Sequence, residues 1–271
     1  MNDSDMNTAL KARSVGRVFK RRDGSIIEAL KDVNLTIQNG EFVCIVGPSG
    51  CGKSTLLQLC AGLDAPSEGN LEAHGRPIVG PGPERGVVFQ KDSVFPWMTV
   101  QHNVEYGLRC RGVPKAQRHR IATQYLEHVG LSEVADAWPR ELSGGMLKRV
   151  AIATVFANGS DILLLDEPFG ALDYVTRHKI HDVLLELWDE ADRDKRTVLF
   201  ITHDVEEALT LADRIVVMRA GEVVDDLAVD GERPRDDDYL ASPEVLAIKR
   251  RLLDHLGISH EHGQVRQQET A

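Results

Sequence analysis

Nine consecutive residues, Gly47-Pro48-Ser49-Gly50-Cys51-Gly52-Lys53-Ser54-Thr55, carry the spacing G-x-x-x-x-G-K-[ST]. Glycines at those places let successive backbone N–H groups curl around an anion without β-carbon clashes. A helix opening at the lysine adds unpaired N–H donors and a partial positive charge. The chemistry is phosphate binding, with Lys53 bridging the β- and γ-phosphates of a nucleotide and Ser54 offering its hydroxyl to Mg²⁺. Asp166 and Glu167 form a second group, two carboxylates at the end of the apolar run Ile162 to Leu165. There Asp166 suits an outer ligand of Mg²⁺, and Glu167 suits the group that orients or deprotonates a water. Gln90 and His203 end two further apolar runs. The amide can contact Mg²⁺ and the water, and the imidazole can hydrogen-bond the γ-phosphate. The candidate catalytic residues are therefore Lys53, Gln90, Glu167 and His203, the candidate metal ligands Ser54, Gln90 and Asp166, and the reaction phosphoryl transfer to water.

Phe42 to Val46 reads as a buried strand feeding the glycine loop, and Leu56 to Ala61 as the helix leaving it. Strand, glycine turn and helix in that order are the context a phosphate loop needs. Arg85 to Gln90, Asp161 to Pro168 and Thr197 to Thr202 read as further strands. Ligands of such sheets sit at the C-terminal strand ends, so Gln90, Asp166, Glu167 and His203 should converge on the loop. The strands ending in Gln90 and His203 are expected beside Phe42 to Val46, running parallel to it. Upstream, Val15 to Phe19 and Ile26 to Leu30 flank a turn at Arg22-Asp23-Gly24-Ser25, and Asp32 to Ile37 alternates polar and apolar. These read as an antiparallel sheet flanking the site. Asn70 to Val79 reads as another strand pair, and Arg214 to Val224 as a last hairpin around Ala220-Gly221. Phe19 fits either core packing or stacking on a purine base.

Val100 to Ala137 reads as helical, with Ile121, Leu126 and Val129 on or near one stripe, and Trp138-Pro139 breaks it. Ser143 is an N-cap candidate for a helix reaching Asn158. The glycines Gly144 and Gly145 weaken that helix start, which suits close approach by another backbone or an anion. Asp92 to Thr99 places Val94, Phe95, Pro96, Trp97 and Met98 in a loop; this suits a docking surface or a fold-back onto the core. From Asp173 a helix carries Ile180, Val183, Leu184, Leu187 and Trp188 on one face. Beyond residue 228 the chain turns acidic and loop-like, then Ser242-Pro243-Glu244 starts a helix striped by Val245, Ile248, Leu252 and Leu256. The end from His260 is expected to be disordered, and His260 and His262 to be solvated rather than metal ligands.

With 271 residues, 42% hydrophobic and 27% charged, the chain suits a large globular domain with a subdomain. A net charge of −10 argues against a nucleic-acid partner, which calls for a basic stripe. No run is long and apolar enough to cross a bilayer, and residues 1–14 lack the apolar centre of a signal peptide. A cytosolic protein is expected, one still able to dock on a membrane protein. The four cysteines, Cys44, Cys51, Cys60 and Cys110, form no C-x-x-C pair, so a zinc site or disulfide framework is not expected. Cys51 lies inside the phosphate loop, either as filler or as a thiol whose oxidation would block nucleotide.

Leu142-Ser143-Gly144-Gly145 before a helix, with the phosphate loop (Walker A) upstream and the Asp166-Glu167 strand (Walker B) downstream, resembles the ATP-binding subunit of an ABC transporter. The resemblance runs from about residue 11 to about 225. It implies an α/β fold with a RecA-like P-loop NTPase core, an antiparallel β subdomain and an α-helical signature subdomain over about residues 92–157. The ATPase domain would span 11–228, with a C-terminal helix and flexible tail over 229–271. Gln90 matches the Q-loop, Phe169-Gly170-Ala171-Leu172-Asp173 the D-loop, His203 the switch histidine, and Phe19 the aromatic that stacks on adenine. The resemblance implies ATP and Mg²⁺ as ligands and a head-to-tail homodimer, in which Ser143, Gly144 and Gly145 of one copy close on the γ-phosphate held by Gly47 to Thr55 of the other. It also implies transmembrane permease subunits whose coupling helix meets Val94 to Met98, indirectly a substrate-binding protein, and with them a peripheral place on the cytoplasmic side of the membrane.

Gly82-Pro83-Glu84-Arg85-Gly86-Val87-Val88-Phe89-Gln90, then Pro96-Trp97-Met98-Thr99-Val100 and Asn103-Val104, are similar to the nitrate, sulfonate and taurine importer branch. Met146 replaces the glutamine usual after the signature glycines, as that branch often does, and Thr154 stands where many relatives have Arg. An ABC importer ATPase for another solute class, or a soluble non-transport ABC ATPase, is the alternative. The soluble ABC ATPases usually carry two nucleotide domains or a long coiled-coil insertion, which this chain lacks. A small-molecule kinase would use the phosphate loop but has no reason to keep Leu142 to Gly145.

Overall fold

The computed structural model describes residues 7–90, 93–170, 172–189 and 195–258. Its centre is a parallel sheet made from mostly apolar runs. These strands are β3 (Phe42–Val46), β6 (Arg85–Val88), β7 (Ile162–Asp166), β8 (Thr197–Ile201) and β9 (Arg214–Arg219). The order is β9-β3-β8-β7-β6, with β10 (Glu222–Ala228) antiparallel to β9 at one edge. A strand covered on both faces has no use for alternation. Phe42, Cys44 and Val46 enter one core cluster and Val43 and Ile45 the other; β7 and β8 divide the same way. Burying each of these larger side chains is worth roughly 1.5–3 kcal/mol, enough to hold the polar strand ends in place.

The second sheet is antiparallel, in the order β2-β1-β4-β5. It comprises β1 (Thr8–Lys20), β2 (Ile26–Gln38), β4 (Glu68–Ala73) and β5 (Arg76–Pro77). The turn expected at 22–25 is present, closed by Arg21 N–H to Ser25 O at 2.8 Å. The runs read separately at 26–30 and 32–37 are one strand, with an irregularity at Asp32, where φ is 45°. This sheet and α1 (Lys53–Ala61) cover one face of the parallel sheet. Leu56, Leu57 and Leu59 of α1 are fully buried there.

The other face is covered by α4 (Gly144–Ala157), α5 (Tyr174–Asp189) and α6 (Val205–Leu211). The run from 100 to 137 is not one helix. It forms α2 (Val100–Cys110) and α3 (Lys115–His128), followed by short 3-10 turns at Ser132–Val134 and Pro139–Glu141. Gly112, at φ 76°, and Pro114, which lacks an N–H, end the first helix before the second begins. Leu126 and Val129 are buried as their stripe requires, and Ile121 packs against them partly covered.

The acidic stretch after 228 is not all loop. Asp236 caps a short helix, α7 (Asp237–Leu240), by accepting Tyr239 N–H at 2.8 Å. The final helix, α8 (Pro243–His255), sends Val245 and Leu252 into the large cluster. Arg251 and His255 tie it to Asp225 of β10, the arginine through both carboxylate oxygens. His260 and His262 lie outside the described residues. No helix among those described is long and apolar enough to cross a membrane.

Candidate functional site

The phosphate loop connects β3 to α1, and its glycines answer to their neighbours. A β-carbon on Gly47 would lie 2.2 Å from the Met218 carbonyl oxygen of β9. One on Gly52, at φ 106°, would lie 2.5 Å from the Ala29 oxygen of β2. The loop is thus wedged between both sheets. Gly47→Ala is expected to cost about 1–3 kcal/mol by overpacking, seen as a lower Tm without nucleotide; an unchanged Tm would show that the strands separate freely. Pro48, Ser49 and Gly50 are exposed, and Thr55 is partly so. Cys51 turns inward, buried in the smaller core cluster with its Sγ 3.9 Å from Lys53 Nζ. Its thiol and those of Cys44, Cys60 and Cys110 are all free.

Lys53, only 6% exposed, donates to the Gly47 and Pro48 carbonyl oxygens at 2.8 and 3.1 Å. Ser54 Oγ donates to Asp166 Oδ1 at 3.1 Å, joining the first turn of α1 to the end of β7. Burial raises the Asp166 carboxyl above the ordinary aspartate range, opposed by the Ser54 hydrogen bond. A proton is therefore held more tightly there than in water, and a cation is the natural group to replace it.

Glu167 is the focus of the next cluster. Its Oε2 accepts Gln90 Nε2–H at 2.9 Å and lies 3.3 Å from His203 Nδ1. Three chain segments far apart in sequence thus meet on one carboxylate oxygen. Glu167 adopts φ 42°, a left-handed conformation rare for a residue with a side chain. Such strain marks a place where side-chain direction matters. Gly170 leaves the opposite side clear, since even a β-carbon there would lie 3.7 Å from both Glu167 Oε2 and His203 Cε1.

The expected convergence of Gln90, Asp166, Glu167 and His203 is present, but one placement differs. His203 follows β8, a true neighbour of β3. Gln90 follows β6, which lies at the sheet edge with β8 and β7 between it and β3. Its side chain crosses back to Glu167 because the chain leaves β6 at Val88 and the amide reaches inward. Lys148 of α4 donates to the Phe89 and Gln90 carbonyls, pinning that exit. Sequence reading missed Lys148, whose only signal is a cation one turn into the helix behind Ser143.

Ser143 caps α4, its Oγ accepting Met146 N–H at 3.3 Å. The two glycines have different reasons. Gly145 is buried, and a β-carbon on it would lie 2.6 Å from Thr176 Cγ2 of α5, so close packing requires it. Gly144 is exposed, with no described atom within 4 Å of where its β-carbon would sit. The first turn of α4 therefore presents N–H groups to solvent beside an open surface. Thr154 needs no ion-pair partner; its hydroxyl donates to Val150 O at 2.8 Å within the helix.

Phe19 lies near the end of β1, partly exposed, with the Arg17 guanidinium 4.5 Å over its ring. It belongs to neither core cluster. The loop at 94–98 divides. Val94 packs on the large cluster and Phe95 lies 4.8 Å from the Tyr106 ring, while Pro96 is exposed and Trp97 is 66% exposed. The buried Asn103 amide fixes the loop, accepting Phe95 N–H and donating to the Phe95, Met98 and Thr99 carbonyls.

The arrangement can hold a triphosphate, supply oxygen donors to a hard cation, and present a carboxylate to water. Ser54, Asp166 and the Gln90 amide are all oxygen donors, as Mg²⁺ requires. No group of three or more His, Cys, Asp or Glu able to hold a metal occurs among the described residues.

Residues 30–170 match the family described as ABC transporter. The nitrate import ATP-binding protein NrtD of Synechocystis sp. is 48% identical over 236 residues, covering 85% of this chain and 87% of that protein. The taurine import ATP-binding protein TauB of Roseobacter denitrificans is 44% identical over 211 residues, covering 78% of each. Among solved structures, the dimeric post-hydrolysis state of the ATP-binding cassette MJ0796, bound to ADP and Pi, superposes with a TM-score of 0.71. It is 34% identical, covering 82% of this chain and all of that one. Family model, relatives and solved structures agree: the chain belongs to the ABC transporter family, as an ATP-hydrolysing ATP-binding subunit.

Proposed function

We propose that the chain powers an importer for a small solute: nitrate, a sulfonate, taurine or a related compound. It would work as a head-to-tail homodimer, peripheral on the cytoplasmic side of the membrane beneath transmembrane permease subunits, with a substrate-binding protein acting indirectly. The observation that carries the ATP chemistry is the grip of Gln90 and His203 on Glu167 Oε2, beside the Ser54–Asp166 pair. The solute class is supported by the resemblance to NrtD and TauB.

Lys53 and the loop N–H groups hold the β- and γ-phosphates. Ser54, Asp166 and Gln90 would hold Mg²⁺, which when bound neutralises phosphate charge. Glu167 takes a proton from the attacking water, and His203, on the far side of the same carboxylate oxygen, hydrogen-bonds the γ-phosphate. Ser143 and the open first turn of α4 close on the partner's γ-phosphate, where the bare surface at Gly144 leaves room. Trp97 and Pro96, exposed on a loop stapled by Asn103, receive the permease.

Phe19, with one face under Arg17, keeps the other for adenine. Losing a base–aromatic stack costs about 1–3 kcal/mol, so Phe19→Ala should raise the KM for ATP by about 5- to 150-fold with kcat nearly kept. Steady-state ATPase kinetics check this; an unchanged KM would place the base elsewhere. The whole reading is tested by reconstituting the chain with its permease and binding protein in vesicles. Hydrolysis and uptake should be stimulated by nitrate, taurine or an alkanesulfonate, and stimulation only by an unrelated solute class would overturn the solute assignment.

A further inference from the structure

The loop that carries His203 is fixed by side chains that do not themselves reach the phosphate site. Thr202 Oγ1 accepts Asp204 N–H at 2.9 Å and donates to Glu207 Oε2 at 2.5 Å. Thr202 is 2% exposed and Glu207 4%. Asp204 Oδ1 caps α6 by accepting the N–H groups of Glu206 and Glu207 at 2.9 and 3.3 Å. Asp204 Oδ2 is taken by Arg177 Nη1 at 2.6 Å. The residues on both sides of His203 are thus locked, while the imidazole between them stands exposed against Glu167.

Arg177 is the member that joins this lock to the rest of the site. Its Nη2 donates to Leu172 O at 3.2 Å, in the segment that follows Glu167. Its Nε lies 3.5 Å from Glu207 Oε1, which also faces His181 Nε2 at 3.6 Å. One planar fork therefore spans the loop before α5, the His203 loop and the base of α6. It also sits one residue beyond Thr176, the side chain against which Gly145 of α4 packs. Arg presents donors in fixed directions, and Lys cannot reproduce three such contacts.

We propose that Arg177 is a positioning residue for hydrolysis: its guanidinium sets His203 and Leu172 relative to Glu167. Its contacts are with Asp204, Leu172 and Glu207, and none is with the phosphate loop. The proposal rests on the roles given above to His203 and Glu167. A displacement of about 1 Å at a reacting group can cost 10²-fold in rate. Arg177→Met should therefore lower kcat by about 10- to 100-fold, leaving the KM for ATP within about twofold, because the phosphate loop and Phe19 are untouched. Arg177→Lys, keeping a cation on Asp204, should recover part of the loss.

The experiment measures kcat and KM for purified Arg177→Met, Arg177→Lys, His203→Ala and the Arg177→Met/His203→Ala pair, with nucleotide affinity followed by a fluorescent ATP analogue. The expected result is a kcat effect graded Met below Lys below wild type, and a smaller loss from Arg177→Met once His203 is gone. Wild-type kcat in Arg177→Met, a raised KM with unchanged kcat, or an undiminished loss in the His203→Ala background overturns the proposal. If Arg177→Met does not fold, Arg177→Lys decides, and kcat equal to wild type counts against it. Wild-type turnover in His203→Ala instead sinks the assignment of His203, a separate failure from that of Arg177.

Discussion

Glu167→Gln is expected to keep ATP binding and lose hydrolysis by about 10²- to 10⁴-fold, the usual contribution of a positioned general base. The argument lies in what the substitution leaves intact. Glutamine has the same shape, so the left-handed backbone at φ 42° and the space kept by Gly170 are unaltered. The amide oxygen can still accept Gln90 Nε2–H in the place of Oε2. What disappears is a negative charge that draws a proton off water and attracts His203 at 3.3 Å. Binding by Lys53 and the loop is outside this contact, so the nucleotide should remain held unhydrolysed, and with it the closed dimer. Single-turnover hydrolysis, nucleotide retention and gel filtration with MgATP check the three parts. Normal hydrolysis would remove Glu167 from its role; slow hydrolysis without an ATP-dependent dimer would leave the chemistry standing and sink the head-to-tail assembly.

The site was legible in the sequence where one residue type serves one physical demand. Gly47 and Gly52 are needed because strands β9 and β2 come too close for a β-carbon, and that demand appears as glycine at fixed spacing. Ile162 to Leu165 is buried on both faces, so Asp166 and Glu167 stand out as its polar end. The position of β6 was not legible, because apolar content tells that a strand is buried but not which strands it lies between. Gln90 was found through its chain position, and its real route to Glu167 depends on an edge strand and a pinned exit.

The same limit applies to packing between helices. Gly144 and Gly145 read alike as weak helix starters, yet one faces open surface and the other is pressed on Thr176. Periodicity ran helix through 100–137 because apolar spacing persists across Gly112 and Pro114, where backbone geometry overrides it. Arg177, Thr202 and Glu207 gave no signal, since a charge on an amphipathic helix normally reads as solvated surface. Only the fold shows that this face of α5 looks onto the His203 loop.

Lys53→Met should abolish measurable ATP turnover and weaken ATP binding, and the two losses have separable sizes. The ammonium has three donors. Two meet the Gly47 and Pro48 carbonyls at 2.8 and 3.1 Å, holding the loop in its cradle shape, and the third faces the weak acceptor Cys51 Sγ at 3.9 Å, a contact that phosphate oxygen would replace. A charge-assisted hydrogen bond contributes about 1.5–3 kcal/mol, so ATP affinity should fall roughly 10- to 100-fold. Turnover should fall further, by about another 10²- to 10³-fold, because charge spreads over the phosphoryl oxygens as the bond breaks and a donor aimed there matters most at that moment. Methionine keeps the length and apolar stem of lysine, and Leu56, Leu57 and Leu59 behind it are fully buried without help from the charge. The folded state should therefore survive, with the two loop carbonyls left to water. Titration of a fluorescent ATP analogue, steady-state ATPase assays and thermal melting without nucleotide resolve the three terms. Equal losses in affinity and turnover would mean that Lys53 grips the ground state only, and that the stabilisation of the transition state comes from the backbone N–H groups and the helix end.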